Sequence, residues 1–136
     1  MKKWFGLVIC MMLCSIAFAN GADSSSTQQK KPNIKYGIAS FYSKSLDGTK
    51  TSTGEIFRHT NFTAASNGFK LNTWVRVTNL RNGKSVIVRI NDRMHKQMAL
   101  NGRIVDLSLA GAQKLDFIKR GIVRVKVEEV PEGTTE

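Results

Sequence analysis

Four runs carry strand signals: 36–42 (YGIASFY), short and aromatic at both ends, and 74–80 (WVRVTNL), 85–91 (SVIVRIN) and 122–130 (IVRVKVEEV), in which apolar and polar residues alternate with a period of two. That period predicts strands with one buried face. The middle two runs flank Arg81-Asn82-Gly83-Lys84, and Asn-Gly there predicts a hairpin closed by a tight primed turn, with positive φ at both central residues. Helical spacing occurs once, in Leu109, Ala112, Leu115 and Ile118. It predicts a helix from 109 to about 119, capped by Ser108 and ended by Gly121. Residues 49–70 are rich in Thr, Asn and Gly, with isolated apolar residues (Ile56, Phe57, Phe62, Phe69), and read as loop with one or two short strands. Six or so short strands and one helix predict a small closed barrel, because closure removes exposed edges.

The first residues follow another pattern. Lys2 and Lys3 precede an apolar run from 4 to 18 that ends in Ala17-Phe18-Ala19, the layout of a secretory signal cleaved after Ala19. The run is shorter than the roughly 20 apolar residues that span a bilayer. Ile9 before Cys10 and Leu13 before Cys14 give no small residue where a lipoprotein signal needs one, so a soluble exported protein is expected, periplasmic or secreted. Residues 20–33 (NGADSSSTQQKKPN) read as a disordered linker, 34–131 as the folded domain and 132–136 as a frayed tail.

Composition narrows the function. Among 136 residues, 21 are Lys or Arg against 10 Asp or Glu, and both Cys lie in the signal. The exported part, with 19 basic against 10 acidic residues and no Cys, can form neither disulfides nor thiolate metal sites. Its net charge of +9 suits an anionic polymer such as cell wall. Nucleic acid is not the expected partner: several of the basic residues alternate on strands as a solvated face does, and export separates the two. A monomer is expected, because the chain shows no long coiled coil or spare apolar face, and no metal or cofactor is expected, since His59 and His95 are the only histidines and their spacing matches no metal motif.

Two carboxylates stand out. Val86, Val88 and Ile90 share one strand face and Asp92 is next on it, which would place Asp92 at the rim of the apolar interior. Desolvation there would raise its pKa and Arg93 would lower it, leaving the sign open. A carboxylic acid kept protonated suits general acid work, and a loop-capping Asp is the plainer alternative. Glu55 follows Gly54, which would let backbone or ligand come close. Asp106, in Arg103-Ile104-Val105-Asp106-Leu107-Ser108, reads as structural, satisfying donors at the start of the helix.

The ordered segments YGIASFYSKSLDGTKTSTGEIF, FTAASNGFKLNTWVRVTNLRNGKSVIVRINDR, GRIVDLSLAGAQKLDF and GIVRVKV resemble the rare lipoprotein A family of septal-ring lytic transglycosylases, from about 36 to 127. The resemblance implies a mainly β fold, a six-stranded double-psi β-barrel akin to those of barwin and expansin, with one short helix. It implies an endolytic lyase that cleaves the MurNAc–GlcNAc β-1,4 bond of naked peptidoglycan strands, leaving 1,6-anhydro-MurNAc ends during wall remodelling and cell separation. The family's acid falls on Asp92 and its supporting carboxylate on Glu55, with Ser66, Arg93, His95 and Tyr42 around the substrate. Two positions depart from the family: Ser66 stands where it has a His after Thr63-Ala64-Ala65, and Met94-His95 stand where Gly-Pro follows Asn-Asp-Arg. His95 or His59 is a candidate to replace that His. The alternative is a non-catalytic, expansin-like wall-binding or wall-loosening module, with Phe41, Tyr42 or Trp74 stacking on sugars.

Overall fold

A computed structural model describes residues 28–136. The signal expected at 1–19 and most of the linker expected at 20–33 lie outside the described residues. No helix among the described residues is long and apolar enough to cross a membrane.

Six strands form one closed barrel: β1 (Ile34–Phe41), β2 (Thr63–Ala65), β3 (Trp74–Asn79), β4 (Ser85–Asp92), β5 (Arg103–Leu107) and β6 (Val123–Val130). Around the barrel they run β1-β5-β2-β4-β3-β6. The pairs β1–β5 and β2–β4 are parallel and the others antiparallel. Alternation places Val75 and Val77, Val86, Val88 and Ile90, and Val123, Val125 and Val127 inside, where each fully buried side chain contributes roughly 1.5–3 kcal/mol. β5 carries Val105 and Leu107 inward, so Asp106 between them faces out.

The helix α2 (Leu109–Leu115) is capped as expected, with Ser108 Oγ accepting from Gly111 N–H. It ends earlier than the spacing predicts, because Asp116 adopts the left-handed conformation at φ 58°. That turn sends Phe117 into the core, edge-on to Phe41. A second single turn, α1 (Lys96–Leu100), links β4 to β5 and is capped by His95.

The hairpin β3–β4 forms, but not through a two-residue primed turn. Asn79 N–H bonds to Lys84 C=O and Gly83 N–H to Asn79 C=O, which leaves four residues in the loop, and only Gly83 has positive φ. Asn79 and Asn82 both donate side-chain amides to Leu115 C=O. The longer loop thereby caps the C-terminal end of α2, whose last carbonyls lack helical partners. Residues 132–136 run without regular structure, with the Glu136 carboxylate accepting from Ser85 and pairing with Arg76.

Candidate active site

A β-bulge decides which way Asp92 faces. Ala64 pairs with Ile90, but Ala65 pairs with Asp92, so Asn91 is an extra residue and parity along β4 shifts by one. Strict alternation puts Asp92 on the interior face; the bulge turns it outward. There it sits beside Ala65 and a small cluster of Tyr42, Phe57 and Met94 that is separate from the barrel core.

Four donors converge on the Asp92 carboxylate. Tyr42 OH donates to Oδ2 at 2.6 Å. Ser52 donates to Oδ1 twice, from its N–H at 2.9 Å and its hydroxyl at 2.7 Å. The Arg93 backbone N–H adds a bond to Oδ1 at 2.9 Å. Burial pushes the carboxyl up, but these hydrogen bonds from Tyr42, Ser52 and Arg93 outweigh it and hold Asp92 below its ordinary pKa of 3.8. Asp92 is thus a carboxylate in the free protein. Arg93 acts through its backbone here, while its guanidinium donates to Ser66 C=O and Phe69 C=O.

Glu55 lies on the same loop as Ser52. It forms a bidentate pair with Arg89, Nη1 to Oε1 at 2.7 Å and Nη2 to Oε2 at 2.5 Å, and accepts from Thr53 Oγ1 at 2.7 Å. The Arg89 bond, then the Thr53 bond, takes Glu55 down to about 2. Thr53 N–H also bonds to the bulged Asn91 C=O. The loop of residues 51–55 is therefore pinned at both ends of its reach, by Ser52 on Asp92 and by Glu55 on Arg89.

The other expected residues divide. Tyr42 is at the site, but its ring stacks on Phe57 at a centroid distance of 4.2 Å and the residue is only 7% exposed, so it offers its hydroxyl and not a sugar platform. Phe41 packs against the core. Ser66 is 0% exposed. Its hydroxyl donates to Ile104 C=O and accepts from Gly68 N–H, so the side chain expected beside the substrate is engaged in an internal tie to β5. His95 is exposed and spends Nδ1 on capping α1. His59 has Nδ1 accepting from Leu109 N–H, with Nε2 3.0 Å from Ser43 C=O. Neither histidine is bonded to Asp92.

Asp106 corrects another expectation, since it caps no helix. Its Oδ1 accepts from Ser40 Oγ at 3.0 Å. Burial, opposed by Ser40 and Arg103 and reinforced by the Asp92 charge, raises it to about 6. Arg89 and Ser52 carry no motif that marks them in the sequence; only the register of β4 and the fold of the loop bring them in. Among the described residues no three His, Cys, Asp or Glu side chains come together as a metal site.

A double-psi barrel family model described as lytic transglycolase matches residues 34–127. The chain is 46% identical over 108 residues to an endolytic peptidoglycan transglycosylase RlpA of Pasteurella multocida (strain Pm70), covering 77% of this chain and 36% of that protein. It is 41% identical over 105 residues to the RlpA of Haemophilus influenzae, again covering 77% and 36%. The chain thus spans about a third of the length of these relatives. Among solved structures, the apo expansin of Clavibacter michiganensis superposes with a TM-score of 0.58 at 20% identity, covering 76% of this chain and 53% of that one. That likeness is one of fold. Motif order, barrel topology and family match agree, and the chain belongs to the lytic transglycolase family of double-psi β-barrels.

Proposed function

We propose that this barrel is an exported peptidoglycan lytic transglycosylase, cleaving the MurNAc–GlcNAc β-1,4 bond of naked glycan strands without water and leaving 1,6-anhydro-MurNAc ends. The observation that carries the reading is Asp92: a carboxylate on the outward side of a bulge, fixed by Tyr42, Ser52 and the Arg93 N–H. In such a reaction the attacking group is the 6-hydroxyl of the MurNAc ring itself. A positioned carboxylate takes its proton, and no nucleophile from the protein is needed. Glu55 and Arg89 hold the loop that brings Ser52 to Asp92, so Glu55 acts by positioning. The names borne by the relatives support the same chemistry. The signal pattern of residues 1–19 and the basic charge support a place outside the cytoplasm, against an anionic wall.

Overnight digestion of amidase-stripped peptidoglycan, read by mass spectrometry, tests this. Anhydro ends that vanish in Asp92→Asn are expected. Retention on the glycan with no release from either protein would favour the non-catalytic wall-binding module, the reading encouraged by Ser66 at the family's His position.

A further inference from the structure

Asp92 answers half of what the cleavage demands. A carboxylate can accept the proton of the 6-hydroxyl, but protonation of the departing glycosidic oxygen needs a carboxylic acid, and four donors on one carboxyl oppose that form. A second carboxyl stands on the same face. In the register of the barrel, Ala65 on β2 pairs with Asp92 on one side and with Asp106 on the other. Side chains at paired positions share a face, so the two aspartates flank Ala65 across the short strand β2, their backbones two strand spacings or roughly 10 Å apart. Ser40 on β1 pairs with Asp106 from beyond. Tyr42, bonded to Asp92, also feels the charge of Asp106.

The environments of the two differ in the way that separates acid from base. Among the described residues Asp106 has one hydrogen bond on its carboxyl, from the Ser40 hydroxyl, where Asp92 has four. Asp106 is partly exposed, so substrate can reach it. The charges that bear on it are Arg103 on its own strand and Asp92 on β4. The α1 turn packed beside β5 brings only His95 and Lys96, both exposed, and α2 brings Lys114, which lies over Phe62.

The geometry assigns to Asp106 the acid half of the reaction and to Asp92 the base half, resting on the transglycosylase reading above. The Asp106 proton passes to the glycosidic oxygen as the bond from C1 of MurNAc to that oxygen breaks, and the bonding pair leaves with the oxygen. The 6-hydroxyl oxygen supplies the pair that forms the new bond to C1, and its proton passes to Asp92. Asp106 ends as carboxylate and Asp92 as acid, and proton exchange with solvent restores both. Pairs of carboxyls with separated proton affinities are how glycosidic chemistry divides acid from base.

The experiment compares two substrates in wild type, Asp106→Asn, Asp92→Asn and Ser40→Ala. One is naked glycan; the other is a MurNAc-terminated oligomer with a 4-nitrophenolate leaving group, which departs without a proton. Asp106→Asn is expected to lose roughly 10²–10⁴-fold on glycan and to come within about tenfold of wild type on the aryl substrate, whereas Asp92→Asn fails on both. Ser40→Ala, which removes the one bond favouring ionised Asp106, is expected to move the alkaline limb of the wild-type pH profile upward. An Asp106→Asn protein as active as wild type on glycan, or equally impaired on both substrates, overturns the assignment. So does an alkaline limb that stays in place in Ser40→Ala. A wild type that yields no anhydro ends overturns the transglycosylase reading, and the acid role with it; a wild type that does, beside an unaffected Asp106→Asn, overturns the acid role alone.

Discussion

The hydroxyl of Tyr42 donates to Asp92 Oδ2 at 2.6 Å while the ring below it lies stacked on Phe57. Burial, and then the bond to Asp92, push the phenol far above its ordinary pKa of 10.0, so it stays a donor throughout the working range. One residue thus joins the small outer cluster to the face that carries Asp92, fixing the orientation of the carboxylate through packing that reaches Phe57.

Tyr42→Phe keeps that stacking and deletes the donor. Hydrogen bonds to charged groups contribute about 1.5–3 kcal/mol, and loss of this one should raise the pKa of Asp92. Because the folded-state pKa of Asp92 lies below its unfolded value, its stabilising contribution is present above about pH 4 and lost as pH falls through the folded value. Tyr42→Phe should therefore unfold more easily than wild type at pH 7, with the gap closing in acid. Carbon NMR titration of Asp92 checks the pKa and urea melts check the stability.

For Glu55 and Arg89 the expected energy is small and the expected effect on activity large. Their side chains are 41% and 29% exposed, so solvent screens the pair and Glu55→Gln should cost only about 0.5–1 kcal/mol at pH 7. With the folded pKa depressed from 4.5 to about 2, that contribution is full above pH 4.5 and gone near pH 2. Cleavage should fall at least tenfold, because the loop that holds Ser52 on Asp92 loses its tie to β4. Melts at the two pH values and release of anhydro ends are the measurements.

Asp106 behaves in the opposite sense. Its folded pKa of about 6 exceeds the ordinary 3.8, so its ionisation weighs against the fold once pH rises through that window. Asp106→Asn should be more stable than wild type at pH 7, by up to about 3 kcal/mol, and the advantage should vanish below pH 3.8. A gain in stability paired with loss of cleavage is the expected signature of a group kept for chemistry. Thermal melts at pH 3 and pH 7 read it.

Ser66→Ala should destabilise the barrel at every pH. It removes the fully buried hydroxyl that accepts from Gly68 N–H and donates to Ile104 C=O; Gly68 is exposed and Ile104 half-buried, so water takes over part of the lost bonding and the cost should be about 1 kcal/mol, a few degrees in Tm. Calorimetry of the two proteins measures it.

Much of this was legible in the residues. Alternation marks β3, β4 and β6 because each carries its own period, and β1 shows as a short run with aromatic ends; β2 and β5 are short, and β2 takes its pairing from two neighbours distant in sequence. The Ser108 cap was readable, but the end of α2 was not, since it is set by Phe117 reaching the core. The hairpin loop lengthened because Asn79 and Asn82 found Leu115 C=O. Asp92 emerged from both parity and resemblance, yet parity placed it on the wrong face. A bulge at Asn91 is a matter of register against β2, which no local pattern contains. The same long-range pairing explains why Asp106 looked like a helix cap and why Arg89 and Ser52 went unmarked.

In the proposed reaction the glycan bond opens by internal attack and not by water. Digestion of naked glycan in heavy-oxygen water, with mass spectrometry of the new MurNAc ends, tests it most directly. Ends one water lighter than a hydrolysis product, carrying no heavy oxygen and absent in Asp92→Asn, are the predicted result. Reducing ends that have taken up heavy oxygen would contradict it.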